Sequence, residues 1–339
     1  MKESLKKMNE IYSISDSWRV LKVTKDIGSV ERVDWAITHS GLYDLPYKGE
    51  GQKVGVIDTG CDIGHQDLKG AVEFADFISE KSVSKTDICG HGTFVTGEIV
   101  GRENGVGIVG VAPLATSFSA RVIFGTMDDM YRHNIAKDLG NAIRACADKG
   151  CRVINMSIGG EQMSSEIKSA LDYAVKKGVI PVAAAGNERL DGIPRRSYPA
   201  SYPNVISVAA TNKKDMPNWF STIGAGGSDL IQPEVAVSSL EYYYGCLPRP
   251  NSSSASPYGV MIGTSMAAPI ISGALLLWAE AVEKAGKMPI GEDVLNEARK
   301  WLRRVSIDTN KNGWDPEIGY GVLLTSPQSF EINGMKVTL

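Results

Sequence analysis

Short, mainly apolar runs alternate with amphipathic stretches along most of the chain. Five of these runs have the length of strands rather than helices, and they cover residues 53–58, 117–124, 151–158, 179–186 and 204–210. Because the runs do not alternate apolar with polar positions, we expect strands that are buried on both faces, as in a parallel sheet.

Two stretches between these runs have helical periodicity. "NIAKDLGNAIRACADKG" (134–150) and "SSEIKSALDYAVKKG" (164–178) both end in glycine, the usual C-terminal stop of a helix. Alternating strands and helices imply right-handed crossovers. The sequence therefore predicts an α/β fold, a doubly wound and mostly parallel sheet with helices on both faces. Sites in such sheets lie beyond the carboxyl ends of the strands.

Composition and charge narrow the class of protein. The 339 residues are 43% hydrophobic, enough for a sizeable core, and 36 Lys and Arg residues nearly balance 39 Asp and Glu residues. Interspersed charges of both signs argue against nucleic-acid and membrane-surface partners. The basic first residues lack the apolar segment of a secretory signal, and no run reaches the roughly 18 apolar residues of a membrane span. We therefore expect a cytoplasmic protein.

The five cysteines are odd in number and have no metal-ligand spacing; they are Cys61, Cys89, Cys146, Cys151 and Cys246. Structural free thiols fit this pattern better than a disulfide framework. For Cys61 and Cys89, which flank two candidate catalytic loops, the alternatives are apolar packing and a redox-sensitive thiol.

Three polar residues stand out at predicted strand and helix ends. Asp58 ends a strand in "VGVIDTG", His91 lies between glycines in "CGHGTFVTG", and Ser265 lies in the first turn of a helix in "IGTSMAAPIISG". Taken singly, they fit a strand-end turn, a structural histidine and a helix N-cap. Taken together, they fit acyl transfer, in which a serine needs a base and the base needs a carboxylate.

These motifs, in the order Asp, His, Ser, resemble those of the subtilisin (subtilase) family. The resemblance implies a serine endopeptidase that acts on polypeptides with a triad of Asp58, His91 and Ser265. It also implies that Asn187, in "AAAGNE", and the Ser265 N–H stabilise the oxyanion.

The resemblance further implies a peptide-binding segment and a specificity pocket. "INMSIGG" (154–160) is similar to the family segment that pairs with the substrate as an added strand. The implied substrate-binding residues are Ser157, Ile158, Gly159, Gly160, Ala184, Ala185, Gly186 and Ser197. Because Ser197 is small, we expect broad specificity for medium and large side chains with some tolerance of acidic ones. Arg195 and Arg196 just upstream are rim charges in the simpler interpretation.

"GRENGVGIVGVAP" (101–113) resembles the calcium loop of the family. The resemblance implies a structural Ca²⁺ bound by the side chains of Asp67 and Asn104 and by the backbone carbonyls of Val106 and Ile108. The alternative is a glycine-rich turn without metal.

The chain departs from the family pattern beside the histidine. The family usually has "HGTHVAG" where this chain has "HGTFVTG", so Phe94 replaces a histidine without a catalytic role, and only packing should change.

A catalytically restrained subtilase-fold protein that acts as a regulatory binding partner is the alternative function, against which the four retained catalytic groups argue. An α/β-hydrolase esterase is excluded, because it needs Gly-x-Ser-x-Gly and the order Ser, Asp, His.

Residues 1–28 precede the resemblance as an N-terminal extension, and we assign residues 29–339 to the catalytic domain. Without a secretory signal or a long propeptide, the chain is similar to the intracellular branch of the family, whose short extension lies across the active site as an inhibitor. That branch typically has a proline in the extension, whereas the first proline here is Pro46. A packed terminal helix is the alternative, since "SLKKMNEIYSI" has apolar residues near helical spacing.

Overall fold

The structure is a computed structural model that describes residues 22–23, 30–79, 86–125, 134–189, 192–225, 233–240, 242–249, 256–327, 329–332 and 335–339. Its strands are β1 Lys22–Val23, β2 Arg32–Val33, β3 Lys53–Asp58, β4 Val72–Asp76, β5 Ile108–Val109, β6 Thr116–Arg121, β7 Val153–Met156, β8 Ile180–Ala184, β9 Ile206–Thr211, β10 Val235–Ser238, β11 Tyr243–Cys246, β12 Tyr258–Met261, β13 Ser306–Ile307, β14 Val322–Leu323, β15 Ser329–Ile332 and β16 Met335–Thr338. Its α-helices are α1 Trp35–His39, α2 His91–Val100, α3 Ile135–Asp148, α4 Ser165–Lys176, α5 Thr264–Lys284 and α6 Asp293–Val305.

A nine-stranded sheet forms the centre of the described chain. Its strand order is β13-β14-β10-β9-β8-β7-β3-β6-β4, with every neighbouring pair parallel except β13 and β14. The five predicted strands are present as β3, β6, β7, β8 and β9. β6 ends at Arg121, earlier than predicted, because this residue is opposite the last residues of both neighbouring strands, Asp58 and Asp76.

Helices cover both faces of this sheet. One apolar cluster combines sheet residues with α2, α5 and α6, and a second combines the opposite face with α3 and α4. The two predicted helices, α3 and α4, bury Leu139, Ile143 and Leu171 against the sheet. The prediction of a doubly wound α/β fold is confirmed.

α5 is buried along almost its whole length, from Thr264 to Val282. Among the described residues, it is the helix whose length and composition would allow it to cross a membrane. The entire apolar window lies inside the structure, packed against α2 and the central strands, so its hydropathy is that of a core helix.

The polar residues singled out above come to one edge of the sheet. Asp58 is the last residue of β3, Ser157 follows β7, and Asn187 lies just beyond β8. His91 begins α2, and Ser265 lies in the first turn of α5, which packs against α2. This is the edge at which doubly wound sheets carry their sites.

A separate three-stranded sheet has the order β1-β12-β11. β1 is antiparallel to β12, with Lys22 opposite Val260 and Val23 opposite Gly259. β12 leads directly into α5. The described residues of the N-terminal extension are therefore paired with the strand that precedes Ser265, and the rest of residues 1–28 lies outside the described residues.

Candidate active site

Asp58 and His91 lie side by side at the end of β3 and the start of α2. Oδ1 of Asp58 is 2.7 Å from Nδ1 of His91, and both side chains are fully buried. The Thr59 N–H donates to the same carboxylate oxygen at 2.7 Å. Because a carboxylate only accepts, it favours the tautomer with the hydrogen on Nδ1, which leaves Nε2 as the basic nitrogen.

Close backbone contact and one buried carboxylate fix the start of α2. A Cβ on Gly92 would lie 2.1 Å from the carbonyl oxygen of Gly60, so only glycine lets the helix begin this close to the loop after β3. The carboxylate of Asp87 accepts from the Gly90 N–H at 2.9 Å and from both the N–H and the hydroxyl of Thr93. These bonds satisfy N–H groups that a helix start leaves unpaired.

Thr59 links this cap to the neighbouring Asp58. Its hydroxyl donates to Asp87 at 3.0 Å and accepts from the Gly92 N–H at 2.8 Å. Burial raises the pKa of Asp87, hydrogen bonds from Thr93 and Gly90 lower it, and the charge of Asp58 raises it again. Asp87 was not among the residues predicted from the sequence, although an aspartate just ahead of a helix start is itself a capping signal.

Ser265 is the second residue of α5, whose N-cap is Gly263. The interpretation of Ser265 as a helix N-cap is therefore wrong. The helix begins earlier because Gly263 adopts a φ of 141°, a conformation that favours glycine. A Cβ on Gly263 would lie 3.3 Å from Nδ2 of Asn187, so the small residue also leaves room for the amide.

The Ser265 hydroxyl donates to the backbone carbonyl of Ser157 at 3.1 Å. In return, the Ser157 hydroxyl donates to the Ser265 carbonyl at 2.6 Å. To donate to an imidazole instead, the Ser265 hydroxyl would have to turn its hydrogen away from Ser157. Catalytic hydrogen bonds in substrate-free sites commonly tighten only when the substrate binds.

The backbone of Thr264 orients the amide of Asn187. The Thr264 N–H donates to Oδ1 of Asn187 at 2.9 Å. With its oxygen held in this way, the amide has Nδ2 as its donor group, which is the group that an oxyanion needs.

A cleft of about 350 Å³ opens beside Ser265. Its walls include the predicted substrate-binding residues except Ala185, whose side chain is buried in a small apolar cluster behind the cleft. Ser197 lies against Gly159, on which a Cβ would be 2.6 Å from the serine oxygen. Charged side chains of both signs complete the walls: Glu161, Glu188, Arg195 and Arg196.

The predicted calcium residues meet around Asp67, whose side chain is fully buried. Its Oδ2 accepts from the Ile108 N–H at 2.8 Å, and its Oδ1 accepts from the Tyr258 hydroxyl at 3.1 Å. Nδ2 of Asn104 is 3.4 Å from the same Oδ1, and Oδ1 of Asn104 accepts from the Val106 N–H at 3.1 Å. Val106 and Ile108 thus contact the two side chains through N–H groups rather than carbonyls.

His65, Asp67 and Cys246 form a buried cluster whose potential metal ligands lie within 4.8 Å of one another. Protein groups already engage these atoms. Nδ1 of His65 accepts from the Asp67 N–H at 3.2 Å, Nε2 is 3.0 Å from the carbonyl of Pro257, and the Cys246 thiol is 3.7 Å from the Asp67 carboxylate. The cluster is therefore a hydrogen-bonded support for Asp67.

All five cysteines are free thiols. Burial raises the pKa values of Cys61 and Cys89, and the charge of Asp87 raises both further. A thiol reacts as its thiolate, which this environment disfavours. The surroundings therefore favour apolar packing over the redox-sensitive alternative.

Comparison with known proteins shows extensive similarity over this region. A family profile described as the subtilase family, Peptidase S8, matches residues 49–321. Subtilisin NAT from Bacillus subtilis subsp. natto is 36% identical over 239 residues, which cover 70% of this chain and 57% of that protein. The major intracellular serine protease of Bacillus subtilis (strain 168) is 37% identical over 253 residues, 72% of this chain and 73% of that protein. The chain thus spans little more than half of subtilisin NAT.

Proposed function

We propose that this chain, which belongs to the subtilase family, is a serine endopeptidase that cleaves polypeptides through an acyl-enzyme. The observation that carries the proposal is the buried hydrogen bond of 2.7 Å between Asp58 and His91 at the sheet edge where Ser265 lines a cleft. A buried carboxylate that holds the imidazole in this tautomer prepares Nε2 to act as general base toward a serine hydroxyl.

In the proposed reaction, Nε2 of His91 takes the hydroxyl proton as Oγ of Ser265 attacks the peptide carbonyl. The oxyanion accepts hydrogen bonds from Nδ2 of Asn187 and from the Ser265 N–H. His91 then gives its proton to the leaving amine as the carbon–nitrogen bond breaks. Water, deprotonated by His91, hydrolyses the ester in a second half-reaction, while Asp58 stabilises the imidazolium.

A fluorophosphonate probe tests this proposal. Because the probe phosphonylates an activated serine, we expect the folded protein to be labelled once, at Ser265, and the same protein unfolded in urea to remain unlabelled. Mass mapping of the labelled peptide identifies the site. A folded protein that neither reacts nor cleaves peptides, with and without residues 1–28, would instead support the restrained, regulatory subtilase-fold alternative.

We expect broad specificity at the residue before the cleaved bond, with preference for medium and large side chains. Arg196 at the cleft is exposed, so its attraction for an acidic side chain contributes only about 0.2–1 kcal/mol. Arg196→Ala should therefore lower kcat/KM for acidic residues by at most about fivefold and leave kcat/KM for leucine unchanged. A peptide library profiled with both proteins checks this, and a strict preference for basic residues would contradict it.

Calcium is proposed as a structural ion at Asp67 and Asn104. The residues fit such a role, because rotating the Asn104 amide would turn its oxygen toward the buried carboxylate, an arrangement that a cation between them would stabilise. Glu31 adds a carboxylate, since its Oε1 accepts from the N–H groups of Asn104 and Gly105 at 2.6 and 2.7 Å.

Calcium at a hundred times its Kd should stabilise the wild type by about 2.7 kcal/mol and raise its Tm by several degrees. Asn104→Ala should abolish most of this rise without the fold cost of removing buried Asp67. Asn212→Ala is the matched control, because Asn212 also closes an Asx turn, but in the segment that follows β9. Thermal melts with calcium and with chelator measure this effect. A wild-type Tm that changes with neither would contradict the proposed calcium site.

A cytoplasmic location is proposed from the relative named as an intracellular serine protease.

We also propose that residues 1–28 restrain the active site. Pairing of Lys22–Val23 with the strand that leads into α5 supports this role, because it brings the extension to the neighbourhood of Ser265.

Removing residues 1–28 should raise the initial rate of peptide hydrolysis. We expect the full chain to show a lag that ends as it trims its own terminus, and a chain that starts at Ser29 to show none. A synthetic peptide of residues 1–28 added to the shortened chain should restore inhibition. Equal initial rates, with both termini verified by mass, would exclude the inhibitory role.

A further inference from the structure

Pro269 deprives the Ser265 carbonyl of its helical hydrogen bond. Each carbonyl in an α-helix accepts from the N–H four residues later, and that residue for Ser265 is Pro269, inside α5. Proline has no N–H. The Ser265 carbonyl is buried with the helix start, where an unpaired acceptor is costly.

Ser157 supplies the missing donor from another part of the chain. Its hydroxyl donates to the Ser265 carbonyl at 2.6 Å, across a separation of 108 residues in sequence. The same residue lies within the segment 154–160, which is proposed to align the substrate. This hydrogen bond therefore joins the backbone of Ser265 to a side chain of the proposed substrate-binding segment.

Asn155 and Ser272 orient the hydroxyl of Ser157. Nδ2 of Asn155 donates to Oγ of Ser157 at 3.0 Å, and the Ser272 hydroxyl donates to Oδ1 of Asn155 at 2.9 Å. The three side chains are fully buried. Since Ser157 accepts from Asn155, its single hydrogen is left for the Ser265 carbonyl. Ser272 lies two turns after Ser265 in α5. The series of hydrogen bonds therefore begins and ends on the same helix.

We infer that Ser157, Asn155 and Ser272 are positioning residues for Ser265, which they hold through the hydrogen bond that Pro269 cannot supply. This inference rests on the proposed function. The Ser157 bond fixes the first turn of α5, and with it both the hydroxyl that attacks and the N–H that faces the oxyanion. Asn155 and Ser272 act through Ser157 and do not touch the reacting atoms.

Ser157→Ala tests the first link. We expect kcat and the rate constant of fluorophosphonate labelling at Ser265 to fall about ten- to a hundredfold, with KM little changed because the backbone that binds substrate remains. Ser272→Ala, two links away, should have a smaller effect of the same kind. The matched control is Ser117→Ala, since the Ser117 hydroxyl is buried and has no hydrogen-bond partner among the described residues. The rates of this variant should equal those of the wild type.

Pro269→Ala in the Ser157→Ala background tests the mechanism itself. Alanine at 269 restores the N–H that the Ser265 carbonyl lacks, so we expect the double variant to recover most of the lost labelling rate. A purely structural role for Ser157 predicts no such recovery. Tm values of all variants show whether each one folds.

The outcomes separate this inference from the proposed function. A wild type that neither labels nor cleaves, with and without residues 1–28, would overturn the proposed function and the inference with it. An active wild type with Ser157→Ala equal to Ser117→Ala would overturn the inference alone. The inference alone would also be overturned if Ser157→Ala lowered the labelling rate and the additional Pro269→Ala substitution failed to restore it.

Discussion

Replacing Ser265 by alanine is expected to lower kcat by about a millionfold, the loss measured when a subtilisin loses its serine. The fold should survive, because the loss of the hydrogen bond from this hydroxyl to the Ser157 carbonyl costs only about 1 kcal/mol. Initial rates on a peptide substrate, with fluorophosphonate labelling and a thermal melt of the same sample, measure both effects.

Ser117→Ala is again the control, since it also removes a buried serine hydroxyl, but from the start of β6, next to the edge strand β4. It should leave labelling and turnover unchanged. If Ser265→Ala kept wild-type turnover, the nucleophile would have to be another residue and the whole catalytic assignment would fall.

Asp58→Asn is expected to lower kcat by about ten thousandfold. An asparagine amide can donate to Nδ1 of His91, which would place the imidazole hydrogen on Nε2, the nitrogen that must accept the serine proton. Shape is nearly preserved, so binding of the substrate should change much less than kcat. Steady-state kinetics with active-site titration separate the two parameters.

Asp62→Asn serves as the control for charge. Asp62 lies on the same loop, paired with Arg249 at the surface, so its loss removes a negative charge near the site without touching His91. We expect its kcat to stay within about twofold of the wild type, as for other surface ion pairs. An equal loss in both variants would show that general loop damage, rather than the tautomer of His91, is being measured.

The fold could be predicted from the sequence because the local order of apolar and polar residues indicates which segments are buried. Apolar runs such as 53–58 report strands covered on both faces, and the residue that ends each run reports the edge where side chains meet. Strand ends were less predictable, since β6 stops where its neighbours stop, and a partner strand is not visible within a run. Ser265 was placed in the correct turn but not at the correct helical position, because the conformation of Gly263 depends on its surroundings.

Contacts between segments distant in the chain could not be predicted from the sequence. Pro269 is visible in "GTSMAAP", yet its consequence depends on Ser157, which lies 108 residues from Ser265. The cap that Asp87 forms on α2 was equally hidden, because its partners become apparent only when β3 and α2 meet. In the loop around Asp67, sequence similarity identified the candidate calcium ligands. Which group donates and which accepts in each hydrogen bond was visible only in the structure.

The pairing of β1 with β12 has a consequence for cooperativity. Two residues can add only one or two backbone hydrogen bonds, each with a net value of about 0.5–1.5 kcal/mol. Such a short ladder can open alone while the central sheet stays folded, as terminal segments with few contacts commonly do. Hydrogen exchange at Lys22 and Val23 should therefore be orders of magnitude faster than exchange in β3, and this opening, rather than global unfolding, would set how soon the extension can be cut.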